Sequence, residues 1–190
     1  MSVNIPRSIC TIASVISISH ACIKGVRTVS GDACELNEVL TSFDAMRGEQ
    51  VKFDTVFIDA PCSGTGTMRR HPEIPWRLTE NDVTSELPKL QLTMLKEAAA
   101  RVAAGGELIY ATCSVFDEEN TYVVDAFLTS PEGEGFTVAP LSEAQILQLP
   151  EYDHVKRLVT LRQNDRGLFQ SVPVNADSYD GHFCARLVRK

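Results

Sequence analysis

An α/β fold with a parallel sheet is predicted for this chain of 190 residues. Three observations predict it. Short apolar runs alternate with helical patterns along the chain. The runs at 55–58 and 108–110 are continuous rather than alternating, as parallel strands covered on both faces require. Between them, Leu87, Leu90, Met94, Leu95, Ala98 and Val102 recur at helical spacing and mark a helix over about 88–103, with Pro88 suited to its first turn.

The elements follow in order. Residues 9–23 are apolar but interrupted by Thr11, several serines and His20. The stretch is shorter than the roughly 20 residues of a membrane span and has no clear cleavage site, so it reads as a buried helix rather than an export signal. Strands are expected at 27–30, 55–59, 107–112 and 183–188. Gly105-Gly106 closes the long helix and turns the chain into the next strand. A second helix starts near Asp117 or Glu118, since acidic residues favour the positive end of a helix, and buries Tyr122, Val123, Phe127 and Leu128.

Composition narrows the function classes. The length suits one domain with a real core. With 25 acidic and 18 basic residues the net charge is −7, which excludes a chain coated in basic residues for nucleic-acid binding but not a local basic patch. No Lys or Arg lies between Arg101 and Lys156, where ten acids fall. The basic residues gather instead at Arg69, Arg70, His71 and Arg77, and at the last strand. Cys10, Cys22, Cys34, Cys62, Cys113 and Cys184 form no close pair in sequence, so neither a zinc site nor a secreted disulfide framework is expected. The thiols read as reduced and no metal is assigned.

Two cysteines stand apart from the rest. One lies in Asp59-Ala60-Pro61-Cys62-Ser63-Gly64-Thr65-Gly66, just past the strand at 55–59, and the other in Ala111-Thr112-Cys113-Ser114, at the end of the next strand. Ligands bind beyond the carboxyl ends of parallel strands. If these strands are neighbours, about 4.8 Å apart, both thiols open onto one cleft. One thiol can then add to an electrophilic carbon while the other moves a proton. Pyrimidine C5 chemistry needs such a pair, because C5 becomes nucleophilic only after C6 is attacked. A thiol hydrolase is disfavoured, because neither His71 nor His182 is evidently placed as a base.

These motifs resemble a family. Asp59-Ala-Pro-Cys62-Ser-Gly, Arg69-Arg70-His71-Pro72-Glu73-Ile74 with Trp76, Gln91-Leu92, Gly105-Gly106, Tyr110-Ala-Thr-Cys113-Ser and Glu119-Asn120 together are similar to the RsmB/Nop2/NSUN group. These are S-adenosylmethionine-dependent RNA cytosine-C5 methyltransferases, and the Arg-Arg-His-Pro run is closest to the bacterial RsmB branch, which acts on small-subunit ribosomal RNA. The resemblance implies a Rossmann-like class I methyltransferase fold and a cytoplasmic enzyme without membrane attachment. It implies Cys113 as the nucleophile at cytosine C6 and Cys62 as the residue assisting product release. Asp32, Asp59 and Asn4 would contact the cofactor. Arg69, Arg70, His71 and Arg77 would contact RNA, with Trp76 stacking or packing. Asp180-Gly181-His182-Phe183 resembles the family's closing Asp-Gly-Phe-Phe, with His182 in place of an aromatic residue.

The resemblance starts near Asn4, at what reads as the end of the family's second strand, so residues 1–190 read as a partial catalytic domain. The family's first strand and its Gly-rich cofactor loop have no counterpart here. Their absence predicts unpaired sheet edges, or direct pairing of strands that the first strand ordinarily separates. A missing N-terminal segment or a partner would then complete the sheet. The competing expectation is a non-catalytic remnant that binds RNA or a partner.

Overall fold

The structure, a computed structural model, describes residues 9–13, 29–141, 163–173 and 179–190. It is an α/β domain around one mixed sheet of six strands, ordered β1-β2-β3-β6-β4, with β5 also on β6. β1 (Ile9–Ala13), β2 (Phe53–Asp59) and β3 (Val102–Thr112) run parallel. β6 (His182–Arg189) returns antiparallel to β3, and its far edge carries β4 (Phe136–Val138) and β5 (Phe169–Ser171).

The core follows from strand periodicity. Val56 and Ile58 on β2, Leu108 and Tyr110 on β3, and Phe183, Ala185 and Leu187 on β6 are buried on one face. The register sets Val56 beside Leu108 and Leu108 beside Leu187. α4 (Leu87–Ala99) packs over this face through Met94, Leu95 and Ala98, flanked by α1 (Leu36–Val39) and α5 (Thr121–Leu128). α2 (Thr41–Arg47) follows α1 directly. Its Asp44 pairs with Arg101, whose guanidinium is buried and also meets Asn37, which pins α1 and α2 to the start of β3.

Several expectations change. Residues 9–13 form a strand rather than the start of a helix, in keeping with the β-branched Ile9, Thr11 and Ile12. β1 takes the place beside β2 that the resemblance left without its strand, pairing Ile12 with Ile58 and Ala13 with Asp59. Of the expected strand at 27–30, Val29 and Ser30 are not in a strand, and the other two residues lie outside the described residues, as does Asn4.

The long helix stops at Ala99, and Val102 already pairs with Phe53. Gly105, at φ 71°, instead sits where the β2–β3 register shifts, a left-handed conformation that glycine adopts without a Cβ clash. The buried stripe of α4 is Gln91, Met94, Leu95, Ala98 and Ala99, which leaves Leu90 exposed. α5 begins at Thr121, because Asn120 has φ −112° and ψ −94°, outside the helical region. Tyr122 faces solvent, and Val123, Val124 and Phe127 form the buried side.

Candidate active site

β2 and β3 end side by side, with Asp59 opposite Ala111. The chain then continues in two loops that lean together. The Ala60 N–H donates to the Ala111 carbonyl at 2.9 Å, and the Gly66 N–H donates to the Cys113 carbonyl at 2.8 Å. The sulfurs of Cys62 and Cys113 consequently lie 3.4 Å apart. Gly64 makes the Cys62 loop possible: its φ of 72° lets the chain reverse into the 3-10 turn Thr65–Thr67.

The two thiols are unequal. Cys113 is lowered from an ordinary value of 9.0 to about 7, chiefly because the Cys62 S–H donates to it, while burial and the nearby Asp59 carboxylate oppose the shift. Cys62 is pushed well up, by that same donation and by its deeper burial. Where the pair carries a single proton, these shifts favour it on Cys62.

Beneath the thiols lies a buried polar network. Ser63, Thr65 and Ser114 bring three hydroxyls together, 3.1 Å from Ser63 to each of the others and 3.3 Å between Thr65 and Ser114. Glu119, fully buried, accepts from the Ser63 N–H at 2.8 Å, from Gln91 Nε2 at 3.1 Å and from the Ser114 hydroxyl at 2.5 Å. Asn120 accepts from Thr112 Oγ1 at 2.6 Å and donates to the Ser114 carbonyl at 3.0 Å. The Tyr110 hydroxyl donates to the Glu119 carbonyl at 2.6 Å. Glu119, Asn120, Gln91, Ser63 and Ser114 carried no individual role in the sequence reading. The signal available was the Glu-Asn pair shortly after the second cysteine, with polar residues set in otherwise apolar surroundings.

Asp59 is exposed at the tip of β2, beside the thiol pair. Asp32 is exposed in a different segment, where it caps the 3-10 turn Ala33–Glu35 by accepting from the Cys34 N–H at 2.8 Å. The basic residues follow the Cys62 loop on the surface. Arg70 pairs with Asp180 through Nε at 2.8 Å, and Arg69 reaches the same carboxylate at 3.6 Å. These guanidiniums hold Asp180 below the usual carboxylate range. His71 lies 3.5 Å from Glu73, Arg77 is exposed at the end of α3 (Ile74–Arg77), and Trp76 is 89% exposed, which excludes core packing for it. His182 is exposed as well, its ring nitrogen 3.2 Å from the Asp180 carbonyl. Gly181 bonds back to Gly66, N–H to carbonyl, at 2.8 Å, which joins the β6 turn to the Cys62 loop.

The chain as a whole is similar to known proteins. A family model described as 16S rRNA methyltransferase RsmB/F matches residues 18–188. The Ribosomal RNA small subunit methyltransferase B of Salmonella newport is 49% identical over 144 residues, covering 75% of this chain and 28% of that protein. Its namesake in Salmonella arizonae is 37% identical over 143 residues, with the same coverage. The chain thus spans well under a third of these relatives. Among solved structures, PH0851 matches with a TM-score of 0.56 at 35% identity, over 76% of this chain and 28% of that one. NSun6 from Pyrococcus horikoshii, solved with SFG, matches with a TM-score of 0.58 over 87% of this chain and 35% of its own, and at 19% identity it supports the fold alone.

Proposed function

The chain belongs to the family of RsmB/F 16S rRNA methyltransferases, and on that footing we propose that it carries the catalytic thiol pair of an RNA cytosine-C5 methyltransferase acting on small-subunit ribosomal RNA. The observation that carries the reading is the 3.4 Å approach of two unequal thiols at adjacent strand ends. A single nucleophile needs no second sulfur, whereas a second thiol held against the first can supply and take back a proton during addition and elimination.

In this reading Cys113 is the attacking thiolate. It adds to cytosine C6, and the electron pair pushed onto C5 takes the methyl group. Loss of the C5 proton to solvent water then re-forms the C5–C6 double bond and expels the Cys113 sulfur as a thiolate. Cys62 holds its S–H against that sulfur, stabilises the thiolate before attack and assists its departure afterwards. The target base must leave its stack to reach the pair.

S-adenosylmethionine supplies the methyl group when bound. Asp59, exposed beside the thiols, and Asp32, exposed at the turn Ala33–Glu35, offer side-chain oxygens that would accept from the hydroxyls and amine of this methyl donor. Arg69, Arg70 and Arg77, exposed after the Cys62 loop, would meet phosphates together with His71 as a hydrogen-bonding side chain, and Trp76 offers an exposed ring for base stacking.

The test is adduct trapping on small-subunit ribosomal RNA with labelled S-adenosylmethionine. Cys62→Ala is expected to accumulate a covalent protein–RNA adduct and Cys113→Ala to form none. The reverse pattern would exchange the two roles, and no adduct or methyl transfer with any variant would remove the reading.

A further inference from the structure

Glu119 is fully buried in the turn before α5, and every donor to its carboxylate is neutral. The arrangement of those donors is specific. Oε1 accepts from the backbone of Ser63, the residue after Cys62, and Oε2 accepts from the side chain of Ser114, the residue after Cys113. One carboxylate therefore grips both thiol loops, one oxygen to each. Gln91 supports the grip from α4, its amide spanning Glu119 Oε1 at 3.1 Å and the Pro61 carbonyl at 2.9 Å.

The hydroxyls reinforce the same link. The Val115 N–H donates to Thr65 Oγ1 and the Phe116 N–H to Ser114 Oγ, each at 3.1 Å, which leaves these hydroxyls free to donate onward. Thr65 donates to Ser63, Ser63 to Ser114 and Ser114 to Glu119, a chain polarised toward the carboxylate. An uncompensated buried charge destabilises a fold unless its lone pairs are met in this way.

We propose that Glu119 is a positioning residue for the thiol pair, holding Cys62 against Cys113 by clamping Ser63 and Ser114 in one carboxylate. The inference rests on the reading of Cys62 and Cys113 as the reacting pair and names the group that sets their distance. Three titratable groups act on Cys113, the Cys62 thiol from the loop after β2, Asp59 at the end of β2 and Glu119 before α5, while Tyr110 on β3, kept protonated by burial, faces Cys62 and Glu119. Glu119 acts on Cys113 in two opposed ways. Its clamp keeps the Cys62 S–H on Cys113, which favours the thiolate, while its charge disfavours it.

Site-resolved alkylation of Cys113 by iodoacetamide across pH, on the full chain without RNA or methyl donor, separates the two. Glu119→Ala is expected to raise the Cys113 midpoint by about one pH unit or more, slowing alkylation at neutral pH roughly tenfold. In the Cys62→Ala background the same change should give no further rise, because the effect runs through Cys62. Glu119→Gln keeps an acceptor for Ser63 but presents N–H groups to Ser114 Oγ, which already accepts from Ser63 and Phe116, so the grip on the Cys113 loop is lost and the midpoint should rise, less than in Glu119→Ala. A folded Glu119→Ala protein with a wild-type midpoint, a further rise in the Cys62→Ala background, or an unchanged or lowered midpoint in Glu119→Gln would each overturn the proposal. If Glu119→Ala fails to fold, Glu119→Gln decides. The measurement needs no turnover, so the adduct experiment can fail while this one succeeds, and the reverse.

Discussion

The sulfur of Cys62 lies 3.4 Å from the sulfur of Cys113, with the Cys62 thiol pushed up and the Cys113 thiol lowered by their contact. This relationship has a direct pH consequence. Cys113 is the less buried member and gains the hydrogen bond as a thiolate, so its charged form exists above about pH 7 and is lost below it. Alkylation of Cys113 should rise through a midpoint near 7 and then level. In Cys62→Ala the hydrogen bond is gone, and the midpoint should move up toward the ordinary value of 9.0. A midpoint that stays near 7 in that variant would show that Cys62 is not the cause.

Two thiols this close should also oxidise to each other. Diamide, which removes two hydrogens from a thiol pair, is expected to join Cys62 and Cys113 before any other pair among the described cysteines, and dithiothreitol should reverse it. Peptide mapping checks the linkage. Crosslinks elsewhere with Cys62 and Cys113 left free would contradict the geometry.

Gly66 and Gly181 meet backbone to backbone, and a Cβ on Gly66 would stand 2.2 Å from the Gly181 carbonyl oxygen. No side-chain rotation relieves that clash. Gly66→Ala should therefore push the β6 turn away from the Cys62 loop and cost about 1–3 kcal/mol, read as a lower urea midpoint. Its Cys113 alkylation profile should shift as well, because the Gly66 N–H is bonded to the Cys113 carbonyl.

Arg101 is 1% exposed and satisfied by Asp44, by the Asn37 side chain and by the Asn37 carbonyl. Arg101→Ala leaves those acceptors without their donor and should destabilise the fold by about 2–3 kcal/mol, measured by chemical denaturation. Asp44 lies below the usual carboxylate range, held there first by the Val51 N–H and then by Arg101. Its contribution is present above the ordinary carboxylate pKa and is lost as pH falls through the lowered value. Acid unfolding of Arg101→Ala should accordingly be less steep than that of wild type.

Asp180 engages the guanidiniums of both Arg69 and Arg70. Asp180→Asn should release the Arg70 guanidinium toward phosphate, tightening single-stranded RNA binding at low salt and steepening its salt dependence by up to roughly −0.7 for the added phosphate contact. Charge reversal at Arg69 and Arg70 should flatten the dependence instead. RNA binding measured against salt checks both, and no response in either variant would remove this patch from the interface.

The parallel strands β2 and β3, the last strand β6 and the helix α4 were legible from apolar runs and helical spacing, because burial on a sheet or along a helix face writes a period into the sequence. So were the two thiol loops, since strand ends in such a sheet point at a common cleft. The strand at Ile9–Ala13 was not legible: an apolar β-branched run reads equally as a buried helix, and only pairing with β2 decides between them. The fate of Gly105-Gly106 was hidden for a similar reason, since a glycine pair serves a helix end or a register shift equally well.

The sequence by itself determined which residues are the candidates for chemistry: two cysteines, each followed by serine at the end of a parallel strand, with an arginine-rich loop beside the first. Only the tertiary structure decided how they work together. The inequality of the thiols, the burial of Glu119 and its grip on Ser63 and Ser114 join segments 51 to 56 positions apart in the chain. No local pattern encodes such contacts, because they arise when β2 and β3 pair and α4 and α5 close the face behind them. Burial then sets the hydrogen bonds, and the hydrogen bonds set which sulfur keeps the proton.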